Sequence, residues 1–440
     1  MLLVTVALIP MLGLLGLVVD LGYMQYVQKS AQTAADAAAR AAVSRFSSTI
    51  GGSSFTCSDF VWICHETPWP CPADLTTATN PAETACLYAK QNGFYTSKAN
   101  QNVTLVSGVT PPPPTAPGIG NTAWWVTVRV TQLVPQLFSA VLGNPTGKVA
   151  ARATGAVTPA AGCVYVLDPS SAASYYQNGS TTFTSACGIF VDSNNPQAMQ
   201  NSGNAVVNAS EYDVVGGVDW HGTITPDPNV GVPPFPDPLR NLPVPSPCSS
   251  TGGCGAADCS AHPNRLVVNS DVTLSPGTYC GGIAVKNATV TFSPGKYILV
   301  GGGLSTQDTN SHVRGSEVFF YNTYNSSKGY GPFAFNANSD VQLSAPTSGT
   351  YSGILAFQDR NCCTAGSVTE SFQGGATSFY EGAIYYPKSI VQFTGNPSMN
   401  LSHYTIIVSW RLAIQGSSSV INDYSHLIGG NPIKTVALVE

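Results

Sequence analysis

The sequence predicts a mainly β protein: one long N-terminal transmembrane or pilin-like helix, a small α+β domain, and a C-terminal parallel β-solenoid (β-helix). Three observations predict it. An uncharged apolar run continues into an alanine-rich stretch, two alternating strands lie around Trp124 and Lys148, and short β-branched strands recur between Asn, Ser and Gly turns. Charge is scarce throughout. Of 440 residues 9% are charged, 18 Lys+Arg against 23 Asp+Glu, with 43% hydrophobic, 43 Gly and 32 Pro, where globular domains carry about 25% charge. Disorder is excluded, because it combines low hydrophobicity with high net charge. A net charge of −5 argues against a nucleic-acid partner, which needs a basic stripe. A surface of Ser, Thr, Asn and Gly suits an exposed structural protein better than a cytosolic enzyme.

The first element spans residues 1–46. Leu2 to Val19 holds no charge, and Asp20 is the first charged residue. Eighteen such residues approach the ~20 that cross a bilayer as a helix. The basic n-region of a signal peptide is missing, and no small-residue cleavage site follows. Instead a helix continues, with Ala at 31, 34, 35, 37, 38, 39, 41 and 42, the best helix former. Small residues let helices approach closely. Pro10, Gly13 and Gly16 are candidates to kink or thin the first half; with Asp20 and Asp36 they are the candidate helix-assembly residues. Asp20 would reach the interface or pair with a neighbouring subunit. A simple anchor with a stalk and an assembling helix both remain open.

The stretch ALIPMLGLLGLVVDLGYMQYVQKSAQTAADAAARAA, residues 7 to 42, resembles the N-terminal signature of TadE/TadG-like (Flp-type) pilus-assembly proteins. The carriers are the hydrophobic run, then Val19-Asp20-Leu21-Gly22, then a helix ending in Ala34-Ala35-Asp36-Ala37-Ala38-Ala39. Members carry a basic stretch before the run. None precedes it here, the pattern of a truncated record, a late start or a processed chain beginning at Met1. Thr5 stands where processed pilins commonly have Glu. The resemblance implies a bacterial cell-envelope protein, self-associating or bound to other pilus-assembly proteins.

In residues 47–160, Pro81 to Tyr95 predicts a short helix and Pro111 to Pro114 with Pro117 a polyproline-like loop. Trp124, Val126, Val128 and Val130 alternate with Trp125, Thr127, Arg129 and Thr131, a half-buried strand. A second strand is expected from Lys148 to Val157, with Trp124 and Trp125 divided between core and rim. The link VPQLFSAVLG is similar to one found in the same family. All twelve cysteines follow this N-terminal helix, which suggests disulfides in an oxidising, extracytoplasmic compartment. The candidates are Cys57, Cys64, Cys71 and Cys86; Cys163 and Cys187; Cys248, Cys254, Cys259 and Cys280; and Cys362 and Cys363. Zinc would want CxxC pairs, which are lacking. Cys86 is expected to tie back to one of the three before it. Cys362 and Cys363 are expected to reach separate partners, because a bond between neighbours is strained.

Residues 161–440 are repetitive. NSDVTLSPGTYCGG (269 to 282) and NATVTFSPGKYILVGG (287 to 302) align, and weaker echoes lie at 201 to 217, 339 to 357 and 389 to 408. Such strands, spaced by about 18–22 residues, are the mark of a parallel solenoid, whose coils bury their apolar faces only by stacking. Asn at the turns adopts left-handed dihedrals and ladders its amides. A β-sandwich with similar hairpins is the alternative. PGTYCGG, SAPTSGTYSGILAFQDR and EGAIYYP are similar to the β-rich halves of long TadG-like proteins. The segment 218–265 is an insertion that reads as a Pro-rich crossing tied down by its cysteines.

Solenoids often host polysaccharide-cleaving enzymes, which need converging carboxylates. Here the acids are scattered, Asp359-Arg360 is the one adjacent acid–base pair of this region, and the six histidines form no local ligand pattern. No G-x-S-x-G or Walker loop occurs. The expectation is therefore a non-enzymatic cell-surface structural protein, a pilus or pilus-assembly subunit held through its N-terminal helix, with no catalytic, cofactor or metal site. The alternative is a membrane-anchored exported adhesin or carbohydrate-binding protein, with surface glycans as partner. Six Asn-x-Ser/Thr sequons are expected by chance in so Asn- and Ser-rich a chain.

Overall fold

In the computed structural model the backbone is described for residues 2–50, 57, 64–109, 124–248, 254, 259–336, 338–374, 377–395, 402–425, 427 and 430–439. Side chains 2–15 fall outside this description, as do the polyproline loop and part of the 389 to 408 echo. The chain is mainly β with an N-terminal helix, and it divides into two compact units: Met1–Gly51 with Phe55–Pro159 and Lys434–Glu440, and Gly52–Ser54 with Ala160–Ile433. The boundary at Pro159 falls within a residue of the expected one at 160, whereas none falls at 46. The helix is not separate from the small domain, because its alanine face is that domain's core. The last strand also returns to the first unit.

In the first unit a helix of 49 residues, Leu2–Ile50, runs without interruption. Its partner is an antiparallel sheet ordered His65–Pro70, Gln101–Gly108, Trp124–Pro135, Thr146–Pro159 and Lys434–Leu438. The alternation at Trp124 works as expected. Trp124, Val126, Val128 and Val130 are fully buried and pair across to Val157, Gly155, Ala153 and Ala151. Against them lie Val27, Ala31, Ala34, Ala35, Ala38, Ala39, Ala42, Val43 and Phe46. The approach is close: a Cβ on Gly155 would lie 2.9 Å from the Ala39 carbonyl oxygen. Phe46 stacks on Trp124 with centroids 4.4 Å apart. Helix Pro81–Gln91 starts with Pro at its first turn and with Asn80 Oδ1 accepting from the Glu83 N–H at 2.9 Å. The Glu83 carboxylate accepts in return from the Thr79 N–H and hydroxyl, a reciprocal cap. Cys71–Cys86 fixes this helix to the sheet, and Cys57–Cys64 closes the preceding loop.

Among the described residues no helix is long and apolar enough to cross a membrane. Most of the apolar run from Leu2 to Val19 lies where side chains are not described, so the transmembrane expectation stands outside those residues.

In the second unit the short strands join in parallel ladders. Val272–Leu274 pairs with Thr289–Phe292, then His312–Gly315, Asp340–Ser344 and Phe379–Gly395. Gly277–Cys280 begins a second ladder through Gly295–Val300, Val318–Thr323 and Ile354–Gln358. The two aligned repeats stack as expected: Val272 faces Val290 and Leu274 faces Phe292. In the second ladder Tyr279 faces Leu299 and not its sequence counterpart Tyr297. A slip of two keeps every side chain on its own face. The interior holds an aromatic row in which Phe292, Phe320, Phe333 and Phe372 contact one another in succession.

The order of rungs is not the order of the chain. Gly162–Val166 stacks on Thr405–Gln415, the C-terminal rung, and continues outward through Gly188–Val191, Tyr212–Val214 and Asn229–Val230. The chain therefore enters mid-stack, runs to one end, and must travel to the other before Leu266–Val268 can begin the second run. The Pro-rich segment makes that journey. Phe235 N–H donates to Asp192, Tyr385 hydroxyl to Asp237, Arg360 to the Leu239 and Leu242 carbonyls, and Lys296 to the Ser246 carbonyl. These anchors follow the stack in order. Cys248–Cys254 and Cys259–Cys280 secure its far end. The entry and exit of the unit meet, Ala160 N–H donating to the Ile433 carbonyl at 3.0 Å.

Asn behaves as its turns require. Asn287 has φ 49°, and Asn310 Nδ2 donates to Asn287 Oδ1 at 3.1 Å across rungs. Cys163–Cys187 joins two rungs. The expectation for the last cysteine pair fails: Cys362 and Cys363 bond to each other. The other ten pair within loops of 6 to 24 residues, and no thiol is left for either to reach.

Candidate functional site

Of the helix-assembly candidates, Asp20 and Gly16 meet at one junction. Asp20 is 3% exposed, and its carboxylate accepts from three consecutive backbone N–H groups: Leu137 at 2.9 Å, Phe138 at 3.0 Å and Ser139 at 2.7 Å. These donors open the 3-10 turn Ser139–Leu142, whose first N–H groups have no partner of their own. Burial works to raise the Asp20 pKa, but the hydrogen bonds from Ser139, Leu137 and Phe138 outweigh it and hold it below the ordinary carboxylate value. The sequence leaves Asp20 to reach the interface or to pair with a neighbouring subunit; within this chain its donors come from a link more than a hundred residues later in the same unit.

Gly16 serves the same junction, since a Cβ there would lie 2.4 Å from the Phe138 ring. Asp36 is remote from it and accepts from Gln32 Nε2 at 2.8 Å, while Gln32 also donates to the Arg152 carbonyl. Pro10 and Gly13 lie outside the described side chains. The alanine face is spent on the chain's own sheet. What stays exposed is an apolar collar: Leu17, Val18, Val19 and Leu21 on the helix, with Leu137 at 72% and Phe138 at 47% on the turn beside it. Link and helix signature are both visible in the sequence. Their meeting is not.

The residues weighed for chemistry make contacts within the larger unit. Asp359 accepts from the Thr323 hydroxyl and the Asn361 N–H. Arg360 lies over the Phe357 and Tyr385 rings while holding the Pro-rich crossing. Glu370 was missed by sequence reading. It is wholly buried and accepts from Tyr330, Ser389 and the Phe333 N–H. Burial raises its pKa to about 7 despite these donors. It sits among rungs. Among the described residues no three His, Cys, Asp or Glu side chains are placed to hold a metal ion.

This arrangement defines a class: a long helix clasped to its own small sheet, followed by stacked parallel ladders. Residues 1–45 match the family model described as putative Flp pilus-assembly TadE/G-like. The match supports a pilus-assembly-related role and a place in the cell envelope or at the cell surface. No curated protein and no solved structure matches the chain.

Proposed function

We propose that the protein is a non-enzymatic structural component of a Flp-type pilus-assembly system, held in a membrane by Leu2–Val19 and carrying its larger unit, a parallel β-solenoid, on the extracytoplasmic side. One observation carries the reading: the family match ends within a helix whose second half is the core of a folded unit. The helix therefore joins an apolar end rigidly to the rest of the first unit. Six disulfides support the oxidising side of the membrane. The burial of the alanine face favours an anchored subunit over one that packs by this face into a bundle of like helices.

The test is fractionation of the full chain made in a bacterial host. The expected result is a membrane pellet resistant to carbonate, with the larger unit open to protease from the periplasmic side. Recovery in the soluble fraction would overturn the anchor. A second reading, an anchored glycan-binding protein, has one specific observation behind it. A groove on the first ladder brings together Thr291, Arg314, Gln342, Ser344 and Phe379, a mix of ring, hydroxyl and amide suited to sugars. Glycan-array binding abolished by Gln342→Ala would favour it.

A further inference from the structure

The geometry points to a second membrane contact: the turn at Leu137 and Phe138 inserts into the interfacial layer of the bilayer that receives the N-terminal apolar run. This deepens the anchored reading and rests on it. The argument begins with where the bilayer surface would fall. Leu2 to Val19 as a helix is about 27 Å long, close to the ~30 Å of a hydrocarbon core. Its end lies beside the turn, because Gly16 is in contact with the Phe138 ring. Phe138 is thus level with a residue inside the run.

The exposed surface there is continuous in character. Leu17, Val18, Val19 and Leu21 are joined by Leu137 and Phe138, all exposed. Monomeric soluble proteins seldom leave such clusters uncovered. The one charge on this stretch of the helix is partnered in place. Asp20 is the only charged residue before Lys29, and three backbone N–H groups of the turn itself donate to it. A carboxylate close to lipid is costly unless so partnered. Next along the helix come Tyr23 and Tyr26, both exposed, and tyrosine is favoured at the headgroup level. The exposed Lys29 follows. From Val18 to Tyr26 the helix rises about 12 Å, so the sequence passes from apolar through aromatic to cationic in the order a bilayer surface requires. The Asp20 clasp gives the turn its place in that order.

The test uses the full chain in vesicles of phosphatidylethanolamine and phosphatidylglycerol. Some vesicles contain acyl chains brominated near the headgroup and others chains brominated near the terminal methyl. Phe138→Trp adds an emitter to six native tryptophans, and its signal is the difference from wild type. Leu137→Trp reads the same turn at its more exposed position and guards against a local folding defect. Val18→Trp reports the anchor, and Tyr88→Trp, exposed on helix Pro81–Gln91, reports water. The expected result is that F138W and L137W lose most of their added emission to the shallow bromines, V18W is quenched too, and Y88W is not. If V18W is quenched while both turn variants are not, the second contact is overturned and the anchor stands. If V18W also escapes quenching, the anchored reading falls with it. A turn signal that follows protein density and ignores bromine would mean that a second copy covers the turn, which also overturns the proposal.

Discussion

The two units solve the same problem, a core built with few charges, in opposite ways. The first closes on one side only. A sheet of valines and alanines is covered by the alanine face of the long helix, with Ala82, Ala85 and Ala89 of helix Pro81–Gln91 in the same core. The contact is tight enough that Gly155 has no room for a Cβ. In the second, the Pro-rich crossing covers one face through Leu239 and Leu242, and the rest of the core is built by stacking. Each rung is covered by the next, and polar groups between rungs bind one another, as Asn310 does with Asn287 and Ser202 with Asn178. A one-sided core concentrates its stability in a few large contacts. A stacked core spreads it along the ladder.

The strongest way to break the comparison is to cut the core in each unit. Trp124→Ala and Phe333→Ala both empty buried aromatic sites and should each cost about 3–5 kcal/mol. In calorimetry W124A is expected to lower the transition of the first unit as a whole. F333A is expected to broaden that of the second, because distant rungs keep their neighbours. Equal, sharp shifts in both would remove the distinction.

A pH scan sharpens it. Glu370 has its pKa raised by burial from 4.5 to about 7, so the native state holds its proton more tightly than the unfolded chain. The stability this contributes is complete below pH 4.5, and it is lost as pH rises through 7. The larger unit should lose roughly 3 kcal/mol between pH 4 and 8 from this group, and Glu370→Gln should flatten that dependence in a denaturant titration. Asp20 has the opposite sign. Its pKa is depressed, so its contribution is present above the ordinary carboxylate range and lost as pH falls through its lowered value. Amide exchange at Leu137 to Ser139 should quicken on that descent, and in Asp20→Asn at neutral pH.

Removing a disulfide tests both units alike. Cys71–Cys86 and Cys259–Cys280 close loops of 15 and 21 residues, and each pair of Ser substitutions should cost about 3 kcal/mol in thermal unfolding. The smallest effect is at a turn. Asn287 has a positive φ, so Asn287→Ala should cost about 1 kcal/mol while Asn287→Gly keeps the conformation. The same melts would show whether a single rung's turn is felt beyond that rung.

Much of the local structure was legible in the residues themselves. The uncharged run and alanine string read as a helix, Trp124 to Val130 as a half-buried strand, and the two Ser-Pro-Gly repeats as adjacent strands, because periodicity and turn chemistry are carried by neighbours in sequence. Pairings within short loops, such as Cys71 with Cys86, were legible to within a choice of three. The partner of each face was not. An alanine face fits another helix as well as it fits a sheet, and only the packing of Gly155 against Ala39 shows which was taken. Asp20 is a lone carboxylate in sequence, and its three donors lie more than a hundred residues away. The neighbours Cys362 and Cys363 misled because strain was weighed without knowing that every other thiol had a nearer mate. Rung order, too, is invisible locally: the Pro-rich segment reads as a crossing, but that it carries the chain from one end of the stack to the other depends on Gly162–Val166 settling against Thr405–Gln415. Sequence determined which surfaces had to be buried; tertiary structure chose their partners, because hydrophobic burial is non-directional and many surfaces of the same size satisfy it.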